Sequence, residues 1–108
     1  MDFNNTSKRP MNLAMFLFHG DGGVMDQAAA ASWFRKAAER GVTDSQYNLA
    51  MLYQSGSGVA RDLAEAYKWF AIAAGRGDVG ARAAAVELKP KLTATQIAAG
   101  EAAASRFE

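Results

Sequence analysis

Between Thr43 and Gly77 the apolar residues fall into two stripes with a helical period. Tyr47, Leu49, Ala50, Leu52 and Tyr53 recur at steps of three and four, which gathers them on one face of a helix, and Ser55-Gly56-Ser57-Gly58 then breaks the pattern. Leu63, Ala66, Phe70, Ala73 and Ala74 make a second stripe that runs until Gly75 and Gly77. Each stripe carries a start signal: Thr43 and Gln46 have the spacing of a capping box, and Asp62 with Glu65 reads as a second N-terminal cap. The pattern predicts two amphipathic helices, A then B, joined by a short glycine-bearing loop.

The same wording occurs 36 residues earlier. Asn12 to Met15 superimposes on Asn48 to Met51, Gly20 and Gly22 on Gly56 and Gly58, Asp26 on Asp62, and Trp33-Phe34 on Trp69-Phe70. Ala37-Ala38 likewise falls on Ala73-Ala74, and Arg40-Gly41 on Arg76-Gly77. A fixed period of this length marks one supersecondary unit that cannot bury its apolar face alone and does so by stacking on its neighbour. Ser7 takes the place of Thr43 and Pro10 that of Gln46, within a first helical turn that tolerates a missing amide donor. Gly23 stands where the second copy has Val59, so the first loop is expected to be the less rigid of the two.

Beyond Gly77, Asp78-Val79 opens a run from Ala81 to Lys89 that reads as a third A helix, ended by Pro90. Thr93 to Gln96 is another capping box and starts a last helix that reaches about Phe107 without a Trp-Phe pair. The chain then divides into an N-terminal extension at residues 1–6, repeats at 7–41 and 42–77, and a C-terminal capping helix pair at 78–108. The expected fold is all-α, an α-solenoid of three antiparallel helix pairs with no sheet. Trp33 and Trp69 hold the same repeat position and are expected to pack in equivalent surroundings, as are the small residues Ala37, Ala38, Ala73 and Ala74, which let helices approach closely.

The pattern Asn48-Leu49-Ala50-x-Leu52-Tyr53-x-x-Gly56-x-Gly58-Val59-x-x-Asp62, followed by Ala66-x-x-Trp69-Phe70-x-x-Ala73-Ala74-x-x-Gly77, resembles the Sel1-like repeat, a relative of the tetratricopeptide repeat. The resemblance covers residues 7–77 closely and 78–107 loosely, and departs from the family pattern at Ala14 and Ala50, where glycine is common. It implies a right-handed superhelix of helix pairs whose A helices line a concave face that grips other proteins, and it implies no catalytic residue. The second repeat and the tail from Leu92 to Phe107 are similar to the repeat segment of alphaproteobacterial polar-localisation proteins, which implies a periplasmic setting.

Composition narrows the function further. At 108 residues the chain suits one core, and although half of it is hydrophobic, much of that is alanine and no apolar run approaches the roughly 20 residues of a membrane span. Direct membrane insertion is therefore not expected. A formal charge of +1 with acidic and basic residues interspersed supplies no field for nucleic acid. The absence of cysteine removes disulfides and thiolate chemistry. Met1 to Thr6 has neither the basic start nor the apolar centre of a signal peptide, so the chain is expected to be cytoplasmic or to come from a longer protein.

Candidate catalytic features are thin. Gly20-Asp21-Gly22-Gly23 lacks the lysine and Ser/Thr of a phosphate loop and matches the turn glycines of the second copy. His19, the single histidine, has no second imidazole, thiol or carboxylate cluster with which to build a zinc site or a triad. No enzyme activity, metal or cofactor is expected.

If Leu49, Ala50 and Tyr53 are core, as the resemblance implies, the outward A-helix positions are Asp44, Tyr47, Met51, Gln54 and Ser55. Their counterparts one repeat earlier are Lys8, Met11, Met15, Phe18 and His19, and a third helix adds Ala83, Glu87 and Lys91. Flexible thioethers and aromatics in such a band adapt to a partner surface. The expected function is a protein-interaction module that takes a partner helix or peptide on this concave face. The alternative is a cell-envelope glycan or peptidoglycan binder that stacks sugars on Trp33 or Trp69, and self-association through the N-terminal repeat is a further expectation.

Overall fold

The computed structural model describes residues 26–107. Five α-helices follow in order: α1 Gln27–Glu39, α2 Thr43–Ser55, α3 Leu63–Gly75, α4 Val79–Leu88 and α5 Ala94–Arg106, with a 3₁₀ turn at Lys89–Lys91 between the last two. Among the described residues there is no strand. The expected A helix of the first repeat and the loop from Gly20 to Gly23 lie outside them.

Local sequence sets most helix ends. Asp26 and Asp62, one repeat apart, each accept a backbone N–H three residues on, from Ala29 at 2.9 Å and Glu65 at 3.1 Å. Asp78 caps α4 through Ala81 N–H at 3.0 Å. The Thr93–Gln96 capping box is present in both directions, at 3.1 and 2.9 Å. Both B helices of the repeats, α1 and α3, close in the same way. Gly41 and Gly77 adopt φ of 93° and 101°, the residue after each donates back to Ala37 or Ala73, and the glycine N–H reaches Ala38 or Ala74. These are Schellman closures, and they need the positive φ that glycine adopts without strain.

The Thr43–Gln46 box expected from the sequence does not form. Val42 is the N-cap of α2, with no side-chain cap, and Thr43 is already helical. Gln46 is fully buried, and its Nε2 donates instead to the Ala38 carbonyl at 3.1 Å, with Oε1 left without a partner. Thr43 Oγ1 accepts from Arg76 Nε at 3.1 Å, which ties the start of the second repeat to its end. Both side chains are spent on contacts between helices, which local spacing does not encode.

The core is continuous through the first four helices, with Ile97 and Ala104 of α5 packed against it. Phe34 and Ala38 of α1, Leu49, Ala50 and Tyr53 of α2, Tyr67, Phe70 and Ala73 of α3, and Ala81, Ala85 and Leu88 of α4 are buried together. Arg35 lies over the Tyr53 ring and donates to its hydroxyl, which adds a polar fastening between α1 and α2. The last two helices depart from a simple third hairpin: α5 packs most extensively on α3, while its contact with α4 is slight. Gly100 explains the close approach, because it is the one buried residue of α5 and a methyl there would come within 2.6 Å of the Tyr67 ring. Helix α3 is thus flanked by α2, α4 and α5.

Candidate partner-binding surfaces

Three surfaces of the described residues warrant attention. The first is the outward face of α2, where the spacing of Asp44, Tyr47, Met51 and Gln54 puts them on one side of the helix. Met51 is 43% exposed, whereas Leu49, Ala50, Leu52 and Tyr53 are buried behind it. Tyr47 is half-buried, with its ring edge-on to Phe70 at 5.6 Å, so part of it serves the core. Asp44 and Gln54 are half-buried, and the main-chain carbonyl of Gln54 accepts from Arg61 Nε at 3.1 Å. Lys8, Met11, Met15, Phe18 and His19 lie outside the described residues. On α4, Ala83 and Glu87 are exposed, as is Lys91 just beyond it.

The second surface is a cleft of about 420 Å³ between α4 and α5, opened by the slight contact between those helices and floored by Ala71 and Ala74 of α3. Arg82, Val86 and Lys89 form one wall, and Glu101 and Ser105 the other. Tyr67 donates to Glu101 Oε2 at 3.3 Å, and Lys89 lies 3.7 Å from the same oxygen. Burial, and then the Glu101 charge and hydrogen bond, push the Tyr67 phenol above its ordinary range, so it stays neutral and acts as a donor. Sequence reasoning missed this cleft. Its only trace there is the run of alanines in α4 and α5, too small to fill the space between two helices resting on a third.

The third surface surrounds Trp33. The expectation that both tryptophans pack alike fails, since Trp69 is 4% exposed and Trp33 is 46% exposed. Trp69 is covered by Phe107, edge-on at 6.0 Å, at the end of the helix that lies on α3. No described residue does the same for Trp33, whose ring has only Lys36 above it at 5.3 Å. The repeat gives both indoles the same position on their helices; among the described residues, the element that covers such an indole is supplied once.

Among the described residues no group of three or more His, Asp or Glu side chains could hold a metal ion. No described helix is long and apolar enough to cross a membrane. These surfaces present an exposed thioether, an exposed indole with one cation over its ring, and a small-residue cleft with charged walls.

No curated protein matches the chain in a sequence comparison. A family model does match, the Sel1 repeat, over residues 11–42 and again over 43–78, which together make up more than half of the chain. The second match spans α2 and α3, and the first ends with α1 and the turn after it. The helix pairs, the glycine closures and the two matched copies agree, and the chain belongs to the Sel1-repeat family, whose helical repeats mediate protein–protein interaction.

Proposed function

We propose that the protein is a non-catalytic scaffold that takes up a helix or an extended peptide of a partner protein on its A-helix face. Asp44, Tyr47, Met51 and Gln54 form the second-repeat part of that face, and Lys8, Met11, Met15 and Phe18 the first-repeat part. The observation that carries the reading is Met51. It is 43% exposed on a helix whose Leu49, Leu52 and Tyr53 are buried, so its thioether is available to a partner without loss from the core. An apolar strip laid against Met51 and beside the half-buried Tyr47, with polar contacts near Asp44 and Gln54, is the helix-in-groove mode of recognition. The likeness of the second repeat and the tail to polar-localisation proteins adds a bacterial cell-envelope setting to this proposal.

Replacing Met15 and Met51 together with glutamate tests it. Partner capture is expected to be abolished while the far-UV circular dichroism spectrum stays native, because Met51 contributes little to the core. Retained capture rejects this face. The glycan alternative narrows to Trp33, since the buried Trp69 has no free ring face to offer a sugar.

A further inference from the structure

The molecule contains its own example of what covers a tryptophan at this repeat position. Phe107 meets the Trp69 indole edge-on at 6.0 Å, and its ring also lies 5.9 Å from the Arg76 guanidinium, seven residues beyond Trp69. The phenylalanine is therefore held between an indole and a cation, both favourable partners for an aromatic ring. Helix α1 and its C-cap repeat this arrangement without an occupant among the described residues. Arg40 stands seven residues beyond Trp33, is exposed, and matches Arg76 across the repeat. Trp33 keeps 46% of its surface free.

The charge around Trp33 differs in a way that describes the missing group. The counterpart of Lys36 in the second copy is Ile72, which is buried. Lys36 is exposed, and neither it nor Arg40 has an ion-pair partner among the described residues. Lys36 over the indole, with Arg40 at the helix end one turn on, complements an aromatic ring that arrives with a carboxylate, and Phe107 itself is followed in the chain by Glu108. A purely apolar occupant would strand Lys36.

We propose that Trp33, Lys36 and Arg40 form a second docking surface, on the B-helix side, for a protein segment that presents a phenylalanine beside a carboxylate, as Trp69 and Arg76 hold Phe107. The surface is separate from the A-helix face and leaves Met51 free for a different partner. A chain with both would bridge two proteins.

The experiment uses the full chain and a dye-labelled peptide of residues 93–108, followed by fluorescence anisotropy. Saturable binding is expected. It should weaken by about tenfold or more when Trp33→Ala is made in the chain or Phe107→Ala in the peptide, the range for loss of a central aromatic anchor. Trp33→Phe should keep most of the affinity. Lys36→Glu with Arg40→Glu should weaken binding at low salt and flatten its salt dependence. Trp33 is half free of the core, so circular dichroism of Trp33→Ala should stay native, and Met51→Glu should leave this binding unchanged. The proposal is overturned by absence of binding, or by equal binding to the Trp33→Ala chain, which would put the peptide in the place of the chain's own α5. It is also overturned if peptidoglycan fragments bind in a Trp33-dependent way and the peptide does not.

Discussion

Trp33 on α1 and Trp69 on α3 are written alike and live differently. Both follow an aspartate-capped helix start by seven residues and precede an Ala-Ala pair, an arginine and a turn glycine. One is buried under Phe107 and the other is nearly half exposed. Repetition in sequence therefore reproduces register and direction, and burial follows from how many neighbours a given copy has. Helix α3 is packed by α2, α4 and α5, whereas among the described helices α1 packs extensively on α2 alone.

The largest effect expected from this contrast is on stability. Trp69→Ala should destabilise the fold by about 3–5 kcal/mol, the usual cost of removing a buried tryptophan, whereas Trp33→Ala should cost about 1 kcal/mol or less. Urea unfolding of both variants decides the matter through the shift in midpoint at unchanged slope. Equal losses would mean that the two indoles are equally packed and would erase the distinction on which the second docking surface rests.

A smaller effect sharpens the reason for it. Gly100→Ala should gain about 1 kcal/mol in helix propensity but lose more from overpacking, because the new methyl would meet the Tyr67 ring at 2.6 Å. A net destabilisation of about 1–2 kcal/mol is expected, with Trp69 fluorescence shifted as α5 lifts and Phe107 moves with it. A stabilised variant would show that α5 does not lie closely on α3.

The smallest effect concerns pH. Burial and then Glu101 raise the Tyr67 phenol, so the unfolded chain releases this proton at lower pH than the folded one. The stability it contributes is complete below the ordinary tyrosine value of about 10, and falls as pH rises through that value toward the raised one. Glu101→Gln should make this alkaline loss shallower without removing it, since burial is the larger cause. An unchanged slope in alkaline urea titrations would uncouple Glu101 from Tyr67.

Legibility from the sequence was uneven for physical reasons. The caps at Asp26, Asp62, Asp78 and Thr93 act over three residues, and the closures at Gly41 and Gly77 need a backbone angle that glycine adopts freely, so both were readable one helix at a time. The core residues Leu49, Ala50 and Tyr53 lie on the apolar stripe and were singled out by the family resemblance, and they leave Met51 on the outer face of α2. Gln46 misled, because its spacing from Thr43 suits a cap while the Ala38 carbonyl of the preceding helix claims its amide. The α4–α5 cleft left no positive signal, since it is made by side chains that are small.

The sequence alone determined an all-helical repeat, its period of 36 residues, most of the inward faces of α2 and α3 and most of the described helix ends, all of which rest on local backbone chemistry and amphipathic spacing. Only the tertiary structure decided that α5 rests on α3 more than on α4, that Gly100 permits it, and that Phe107 then seals Trp69 while Trp33 stays open. Those outcomes depend on which surfaces meet across long stretches of chain, and a repeated pattern specifies the surface of each unit without specifying what will cover it.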